Sequence, residues 1–527
     1  LPEERRLLHA AWFLSSGVLL YLATPPAGLG VAGFVALIPL VHAATRSSSY
    51  RQAALGGFFT GATFFLPALY WLTSVTILGW AALALYCGAY ISLFAVLARA
   101  IGVRILPLAA LWVAMEYVRG TIAFTGFPWL LLSHTQAGFT FFVQVLDVVG
   151  SYGLSGILVG LNMLLYRGWK NRRDLIVAAA IFTAICVYGY SRIHTLRIEP
   201  LFRVAMVQAS VPQEMKEVLR GRYDPTGVLE RYIAASQQIP EDPEIGLLIW
   251  PETVVLSPYL LNVNPAVLNE RNGASAKLAQ DALRDLGLKH GAHVLAGATS
   301  YLPAAHGYVA DASLARAIPD GNWRKRYNSA YLLDPTGRYV DRYDKIHLVP
   351  FGEYIPLPDL LPFLASFVPF DASLSPGEKQ TVFEMNWTQR AVKFGVVICY
   401  EDTDAELTRR LRRDGADFLI NISNDAWFGL TELDQHFIAA RYRAIENRVG
   451  VARSGNNGIT GVIDPVGRVG PVLEKNAIGV AVDRLATTSS RTLYTRFGDW
   501  PAAGFAVATL LIAIVRRVMW GGHLSPP

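Results

Sequence analysis

The sequence predicts a polytopic membrane α-helical bundle of about eight spans joined to an exported α/β domain, and three observations carry that expectation. Hydrophobic residues make up 52% of the 527 residues and charged ones only 17%, with a mean hydropathy of +0.32, above the range of an ordinary soluble globular chain. Residues 52 to 98 contain no Asp, Glu, Lys or Arg, a run too long for one span of ~20 residues and right for two. Beyond residue 191 the pattern changes, and short apolar runs alternate with polar, helix-patterned stretches. The same composition excludes disorder, a coiled coil and a collagen-like fibre, because few charges and 11% aromatics belong to a chain that buries itself. Three cysteines are too few for a disulfide framework, and no internal repeat shows.

Apolar segments of spanning length fall near 7–23, 29–45, 53–72, 80–98, 105–124, 141–166, 175–191 and 500–518. The first two are short and suited to a tilted or partly re-entrant path. Residues 73–79, with Thr73, Ser74, Thr76 and Gly79, are the expected turn inside the long uncharged run. Arg5 and Arg6, Arg46 and Arg51, Arg99 and Arg104, and Arg167, Lys170, Arg172 and Arg173 occupy every second connection, whereas 24–28, 73–79 and 125–138 have no Lys or Arg. The positive-inside rule places the basic connections in the cytoplasm. Seven spans then export the following domain, and Arg516 and Arg517 return after the last one, so both termini are expected inside. The expected division is a membrane domain at 1–191, an exported domain at 192–498, and a last span with its tail at 499–527. Glu116, Arg119 and Asp147 are charges within or near spans. Glu116 and Arg119 lie three apart on one helical face and are expected to pair and steady the bundle.

In the exported part the candidate strands are 203–208, 247–250, 293–299, 330–333, 394–399, 418–422 and 460–463, and 226–238, 266–290, 402–413 and 434–447 read as amphipathic helices. Strand and helix alternate, as in a layered α/β fold whose reactive residues stand where strands end. The run 247–250 leads straight into Pro251-Glu252, and 394–398 into Cys399-Tyr400-Glu401. Between them Lys345 sits in a loop restrained by proline and aromatic residues, Tyr343 to Tyr354. Cys399 is the domain's one cysteine, since Cys87 and Cys186 fall in spans, so in an oxidising compartment it is a reactive or a buried thiol. A thiol of pKa ~8.5 needs a base and a positive neighbour to act as a nucleophile near neutrality. Glu252 can be that base and Lys345 that cation. Taken singly, each has a bland reading: a core cysteine, a turn-capping glutamate, a solvated lysine.

Together, Pro251-Glu252, the Lys345 loop and Ile398-Cys399-Tyr400-Glu401 resemble the Glu-Lys-Cys triad of the nitrilase superfamily, whose fold is an α-β-β-α sandwich. With eight spans added, the chain resembles the bacterial apolipoprotein N-acyltransferases. Gly126-Phe127-Pro128-Trp129-Leu130, Ser423-Asn424-Asp425-Ala426-Trp427-Phe428-Gly429, Gln435-His436-Phe437 and Asn456-Asn457-Gly458 are similar to segments of that family. One departure is a tryptophan common in the family near Lys216 to Arg222 and missing here.

The resemblance implies a multi-pass protein of the bacterial inner membrane, with its catalytic domain on the periplasmic side. It implies acyl transfer from a membrane phospholipid, through a thioester on Cys399, to the α-amine of the diacylglyceryl-cysteine that begins an apolipoprotein. Glu252 serves as base and Lys345 as oxyanion cation, with no metal or organic cofactor. Glu353 matches a family glutamate that positions the lysine. Tyr400 and Glu401 are expected to orient the nucleophile, Tyr400 through its backbone N–H at the oxyanion. Trp427, Phe428, Asn424 and Tyr354 are candidate substrate contacts, with core aromatics and turn residues as the alternatives, and His436 is expected to be structural. Segment 356–370, almost uncharged and rich in proline, reads as a mobile lid or membrane-dipping arm over Cys399, or as a loop packed on the bundle. The bilayer is an expected partner, nucleic acid is not, and a monomer is the expected state. A membrane-tethered amidase using the same triad is the rival reading. A transporter is disfavoured, because no pair of Gly/Pro-broken spans recurs in two halves.

Overall fold

The computed structural model describes residues 3–122, 126–216, 223–256, 270–303, 323–355, 374–388, 390–428 and 430–505. They form two compact units, Leu1–Thr195 with Thr492–Pro527, and Leu196–Arg491.

The first unit is helical: α1 (Glu3–Ala23), α2 (Leu37–Arg46), α3 (Tyr50–Ala68), α4 (Ile77–Ile101), α5 (Ile105–Tyr117), α6 (Leu146–Gly168) and α7 (Arg172–Thr195). Among the described residues, five stretches are long and apolar enough to cross a membrane: Arg6–Ala23, Ile77–Ile101, Ile105–Ile122, Phe142–Gly168 and Arg172–Thr195. The segment expected to span at 29–45 is instead a 3₁₀ turn, Gly30–Phe34, followed by the ten-residue α2. Side chains from neighbouring segments take up its broken backbone. Asn162 on α6 donates to Gly33 O at 2.9 Å and accepts from Leu37 N at 3.0 Å, and Gln136 donates to Gly30 O at 2.9 Å. Irregular backbone in an apolar bundle persists only where such partners exist. The turn expected at 73–79 comes earlier, as a 3₁₀ turn at Tyr70–Ser74, and Thr76 caps α4 by accepting from Gly79 N. Most of the span expected at 500–518 lies outside the described residues.

Small residues set the helix spacing. A Cβ on Gly61 of α3 would lie 2.5 Å from the Cα of Gly88 on α4, and one on Gly57 would meet Ala95 at 2.6 Å. Thr60 Oγ1 donates to Phe13 O of α1 at 2.8 Å. With no hydrophobic drive between helices in lipid, such close approach is what holds them. The intramembrane charges act on backbone. Glu116 accepts from Leu132 N at 2.7 Å, and Arg119 donates to Phe127 O at 3.2 Å and Trp129 O at 2.8 Å. Instead of simply pairing, these two residues anchor segment 127–132. Asp147 holds α7 through Tyr188 (2.8 Å) and Arg192 (3.0 Å).

The second unit has twelve strands in two sheets. Its elements, in chain order, are β1 (Glu199–Gln208), α8 (Pro225–Ser236), β2 (Ile245–Val255), α9 (Glu270–His290), β3 (His293–Pro303), β4 (Trp323–Leu333), β5 (Tyr339–Asp344), β6 (Val382–Trp387), β7 (Arg390–Ile398), α10 (Ala405–Arg413), β8 (Phe418–Ser423), α11 (Leu430–Asn447), β9 (Gly450–Gly455), β10 (Thr460–Ile463), β11 (Val469–Leu473) and β12 (Gly479–Thr487). The sheet orders are β12-β1-β2-β3-β4-β5 and β11-β10-β9-β8-β7-β6. Each has three parallel central strands, β1-β2-β3 or β7-β8-β9, with antiparallel strands outside them. The parallel centres follow from the helices α8, α9, α10 and α11, each of which returns the chain to start the next strand in the same direction.

Alternation along the strands makes the layers. In β1, Ala205 and Val207 pack with Val228, Leu229 and Tyr232 of α8. Phe202, on the opposite face, meets Phe418 at 5.6 Å and Trp387 at 5.4 Å on the second sheet. On the second sheet's outer face Leu407 and Leu411 of α10 and Ala440 and Ala444 of α11 pack with Val397, Leu419 and Val451. The unit is therefore an α-β-β-α sandwich. Strands β5, β6, β9, β11 and β12 go beyond those expected, and β7 ends one residue early, so that Cys399 opens a 3₁₀ turn and does not close the strand.

Replacing Gly61 with leucine should force α3 and α4 apart and cost about 1–3 kcal/mol, read as a lower unfolding midpoint in mild detergent. Gly138→Ala, where a Cβ meets nothing within 4 Å, should leave the midpoint unchanged. Equal behaviour of the two variants would refute the close-packing account.

Candidate active site

The ends of β2, β5 and β7 bring Glu252, Lys345 and Cys399 together. β2 is regular as far as Trp250, but its register with β3 shifts between Trp250 and Val255, and Thr253 takes φ 52°. This irregular stretch re-aims the side chain beside it. Glu252 is buried, accepting from Asn328 Nδ2 at 2.6 Å on one oxygen and from Asn424 N at 2.6 Å on the other. Burial raises its pKa above the usual carboxylate value. Lys345 opposes that shift and the charge of Glu353 adds to it.

Lys345 directly follows β5 and is 1% exposed. Its backbone is fixed by Lys345 N donating to Asn328 O and by Gly377 N donating to Lys345 O, both at 2.8 Å. Nζ lies 2.8 Å from the Glu353 carboxylate and 3.9 Å from Glu252. Burial alone would lower the pKa of this amine, but Glu353, Cys399 and Glu252 together raise it, so it stays an ammonium. Asn328 also donates to Glu353 at 3.2 Å and so spans both carboxylates.

Cys399 has φ 53°, a left-handed backbone costing about 1–3 kcal/mol in a residue other than glycine. The turn is held from two sides. Asn421 Nδ2 donates to Cys399 O at 3.2 Å, and His436 Nε2 lies 3.3 Å from the same oxygen. Glu401 accepts from Ile398 N (2.8 Å), Ile346 N (2.7 Å), His347 N (3.0 Å) and Tyr343 OH (2.7 Å), tying the turn to the lysine loop. Burial is the largest influence on the Cys399 thiol and raises its pKa, as does Glu252. Lys345 and His436 pull it down without reversing the direction.

Behind the turn lies a buried ionic cluster. His436 lies 2.9 Å from Asp402, 3.2 Å from Glu432 and 3.3 Å from Asp425, and Arg453 contacts Asp425 at 2.8 Å. Asp425, Glu432 and His436 point donor atoms within 4.8 Å of one another, a spacing that would suit a metal ion. However, the Arg453 guanidinium already compensates Asp425, and the surrounding carboxylates hold the His436 pKa well above its usual value against burial. The cluster reads as a framework for the Cys399 turn.

Among the other expected site residues, Glu353 accepts from Val349 N at 2.8 Å and holds Lys345. Tyr400 is buried with its ring edge-on to His347. Tyr354 closes the lysine loop, its carbonyl accepting from Phe351 N at 2.8 Å. Trp427 and Phe428 are half-buried at the 3₁₀ turn after β8. Asn424 acts inward: its amide holds Glu252, and its side chain bonds Gln213 at 2.8 Å and Asn456 at 2.9 Å. Residues 356–370 and 217–222 lie outside the described residues. Sequence reasoning missed Asn328, whose one signal was an asparagine inside a strand, where that residue is depleted.

Residues 203–491 match the model of the carbon-nitrogen hydrolase family, which places the α/β unit in that class. Residues 16–164 match the apolipoprotein N-acyltransferase N-terminal domain. Apolipoprotein N-acyltransferases of Geobacter metallireducens and Brucella melitensis are each 30% identical to this chain, covering 95% and 98% of it and 94% and 96% of their own lengths. The chain belongs to the apolipoprotein N-acyltransferase family, whose activity is N-acylation of lipoproteins. Among solved structures an amidase from Nesterenkonia sp. is 17% identical over 57% of this chain and 95% of its own, with a TM-score of 0.37, too distant a likeness to bear on substrate.

Because burial holds the Cys399 thiol above the ordinary range, its alkylation by iodoacetamide, followed by peptide mass mapping, should be slow at neutral pH and still rising beyond pH ~9, past the midpoint of a free thiol. A rate that levels off below neutrality would reveal a resting thiolate and contradict the assignment.

Proposed function

We propose that this chain moves an acyl chain from a membrane phospholipid to the α-amine of an apolipoprotein's N-terminal diacylglyceryl-cysteine, by a ping-pong route through a thioester on Cys399. The observation that carries this reading is the buried Glu353–Lys345–Glu252 row at 2.8 and 3.9 Å beside a thiol on a strained turn. A carboxylate with a raised pKa is matched to proton transfer near neutrality. Glu252 takes the thiol proton as sulfur attacks the ester carbonyl. Negative charge moves to the carbonyl oxygen, where the Lys345 ammonium and the Tyr400 N–H stabilise it. The C–O bond then breaks, Glu252 returns the proton to the departing alkoxide, and lysophospholipid leaves. In the second half the amine forms a C–N bond, the C–S bond breaks and the Cys399 thiol is restored. No step calls on a metal or organic cofactor.

In this reading the protein is a monomer with eight spans and cytoplasmic termini, and its catalytic unit is periplasmic. The support for the orientation is the charge distribution, with basic residues confined to alternate connections. Both substrates are lipid-anchored, so an enzyme fixed in the same bilayer meets them without extracting either.

Purified protein incubated with a phospholipid carrying a labelled acyl chain should gain one hydroxylamine-labile acyl adduct by intact mass, and Cys399→Ala should gain none. Glu252→Gln should form it about 10²–10⁴-fold more slowly. A diacylated lipopeptide should discharge the adduct. Release of free fatty acid in place of transfer would favour a tethered amidase-type hydrolase.

A further inference from the structure

One buried ionisable group near the site has no part in the steps above. Lys216 follows the 3₁₀ turn Gln213–Met215 and is 8% exposed, and among the described residues its Nζ makes one long contact, 3.4 Å, with the main-chain oxygen of Glu252. The turn is pinned to the site, since Gln213 accepts from Asn424, the residue whose amide holds the Glu252 carboxylate. Lys216 and Lys345 thus flank the same glutamate under opposite conditions. Lys345 is bound by Glu353 and kept charged. Burial brings the Lys216 ammonium down to about 7, with Glu252 acting against that shift. Among the described residues, the charged groups on the adjoining elements are Glu214, the exposed Glu230 and Arg231 of α8, and Asp224, which is turned to the Gly227 amide as the cap of α8. A pair of like groups driven apart in this way is the mark of divided acid and base roles.

The second half-reaction needs such a division. The acceptor is an α-amine with an ordinary pKa of ~7.7–8.0 and arrives largely as an ammonium. It must lose one proton before it can attack and a second after the C–N bond has formed. Glu252 can accept only one at a time, and that one must go on to the departing Cys399 sulfur.

We propose that Lys216 is the first proton acceptor of the amine half-reaction, converting the incoming lipoprotein ammonium to the free amine beside Glu252. The inference rests on the Cys399 acyl-enzyme reading. Lys216, as the free amine, takes one proton from the ammonium. The amine nitrogen then forms its bond to the thioester carbon, the C–S bond breaks, and the second proton passes through Glu252 to the thiolate. Lys216 afterwards gives its proton to water, so each transfer releases one proton. The first half-reaction has no ammonium to neutralise and does not call on Lys216.

The two halves can be timed separately on Lys216→Met and Lys216→Arg. Each variant is first loaded from phospholipid, and the acyl-enzyme is then discharged by a diacylated lipopeptide or by hydroxylamine, a nucleophile uncharged at neutral pH. Loading and hydroxylamine discharge should stay within about threefold of wild type. Lipopeptide discharge near pH 7 should fall roughly five- to tenfold in both variants, because an α-amine of pKa ~7.7–8.0 is only about a tenth to a sixth neutral there, with the deficit closing above pH ~8 as the acceptor arrives already neutral. Wild-type discharge should slow as the pH falls through about 7, where Lys216 becomes protonated. Rescue by arginine, which cannot give up its proton, would make Lys216 a fixed cation and overturn the proposal. So would an equal loss in loading, a deficit independent of pH, or no deficit. Failure of the wild type to load is visible before any acceptor is added and counts against Cys399 instead.

Discussion

The site is organised around an ammonium with almost no contact with water. Lys345 is 1% exposed, and an unpaired charge at that depth would surrender its proton. Glu353 at 2.8 Å and Glu252 at 3.9 Å prevent this, and each carboxylate needs partners of its own. Glu353 takes the Val349 amide, Glu252 takes the Asn424 amide, and Asn328 serves both. The lysine loop, the middle of β4 and the end of β8 are thus fixed by the need to compensate one charge.

The two carboxylates do different work because their other neighbours differ. Glu353 is the nearer to the lysine and holds it through a direct hydrogen bond. Glu252 is farther away and buried, and burial raises its pKa against the pull of Lys345. Glu401, a third buried carboxylate, has its oxygens occupied by three amides and a phenol and is left as a strut between Cys399 and the lysine loop. Burial raises its pKa too, against Lys345 and these hydrogen bonds. A raised carboxylate therefore does not identify a base by itself.

Much of this was legible in the chain. Glu252 and Cys399 stand out because apolar runs lead into them, and a buried parallel strand must be apolar until it ends. Lys345 is marked by a loop too restrained to be an ordinary connection. Asn328 was hidden, because its strand carries Arg324, Lys325 and Arg326 and alternation there gives no sign of which polar side chain turns inward. The role of Glu401 was half visible: its place beside the cysteine could be read, but its bonds to Ile346 and His347, about 55 residues earlier, are set by the meeting of two sheets. β5 and β6 escaped notice for a related reason, since their charged residues break the apolar pattern. Segment 29–45 has the hydrophobicity of a span, but Gly30, Gly33 and Pro39 interrupt it, and two of the side chains that make the broken form tolerable, Asn162 and Gln136, lie more than 100 residues away.

The outermost strands are β12 and β5 on the first sheet and β11 and β6 on the second. An open edge invites a strand from another molecule. β5 carries Asp341, Arg342 and Asp344, β6 carries Glu384, and β11 has Pro471 at its centre. Proline removes one ladder donor, and charge makes a matching neighbour unwelcome. The residues that blurred the strand pattern in the sequence therefore act as insulation, keeping neighbouring copies of this unit from zipping together along their sheets when crowded.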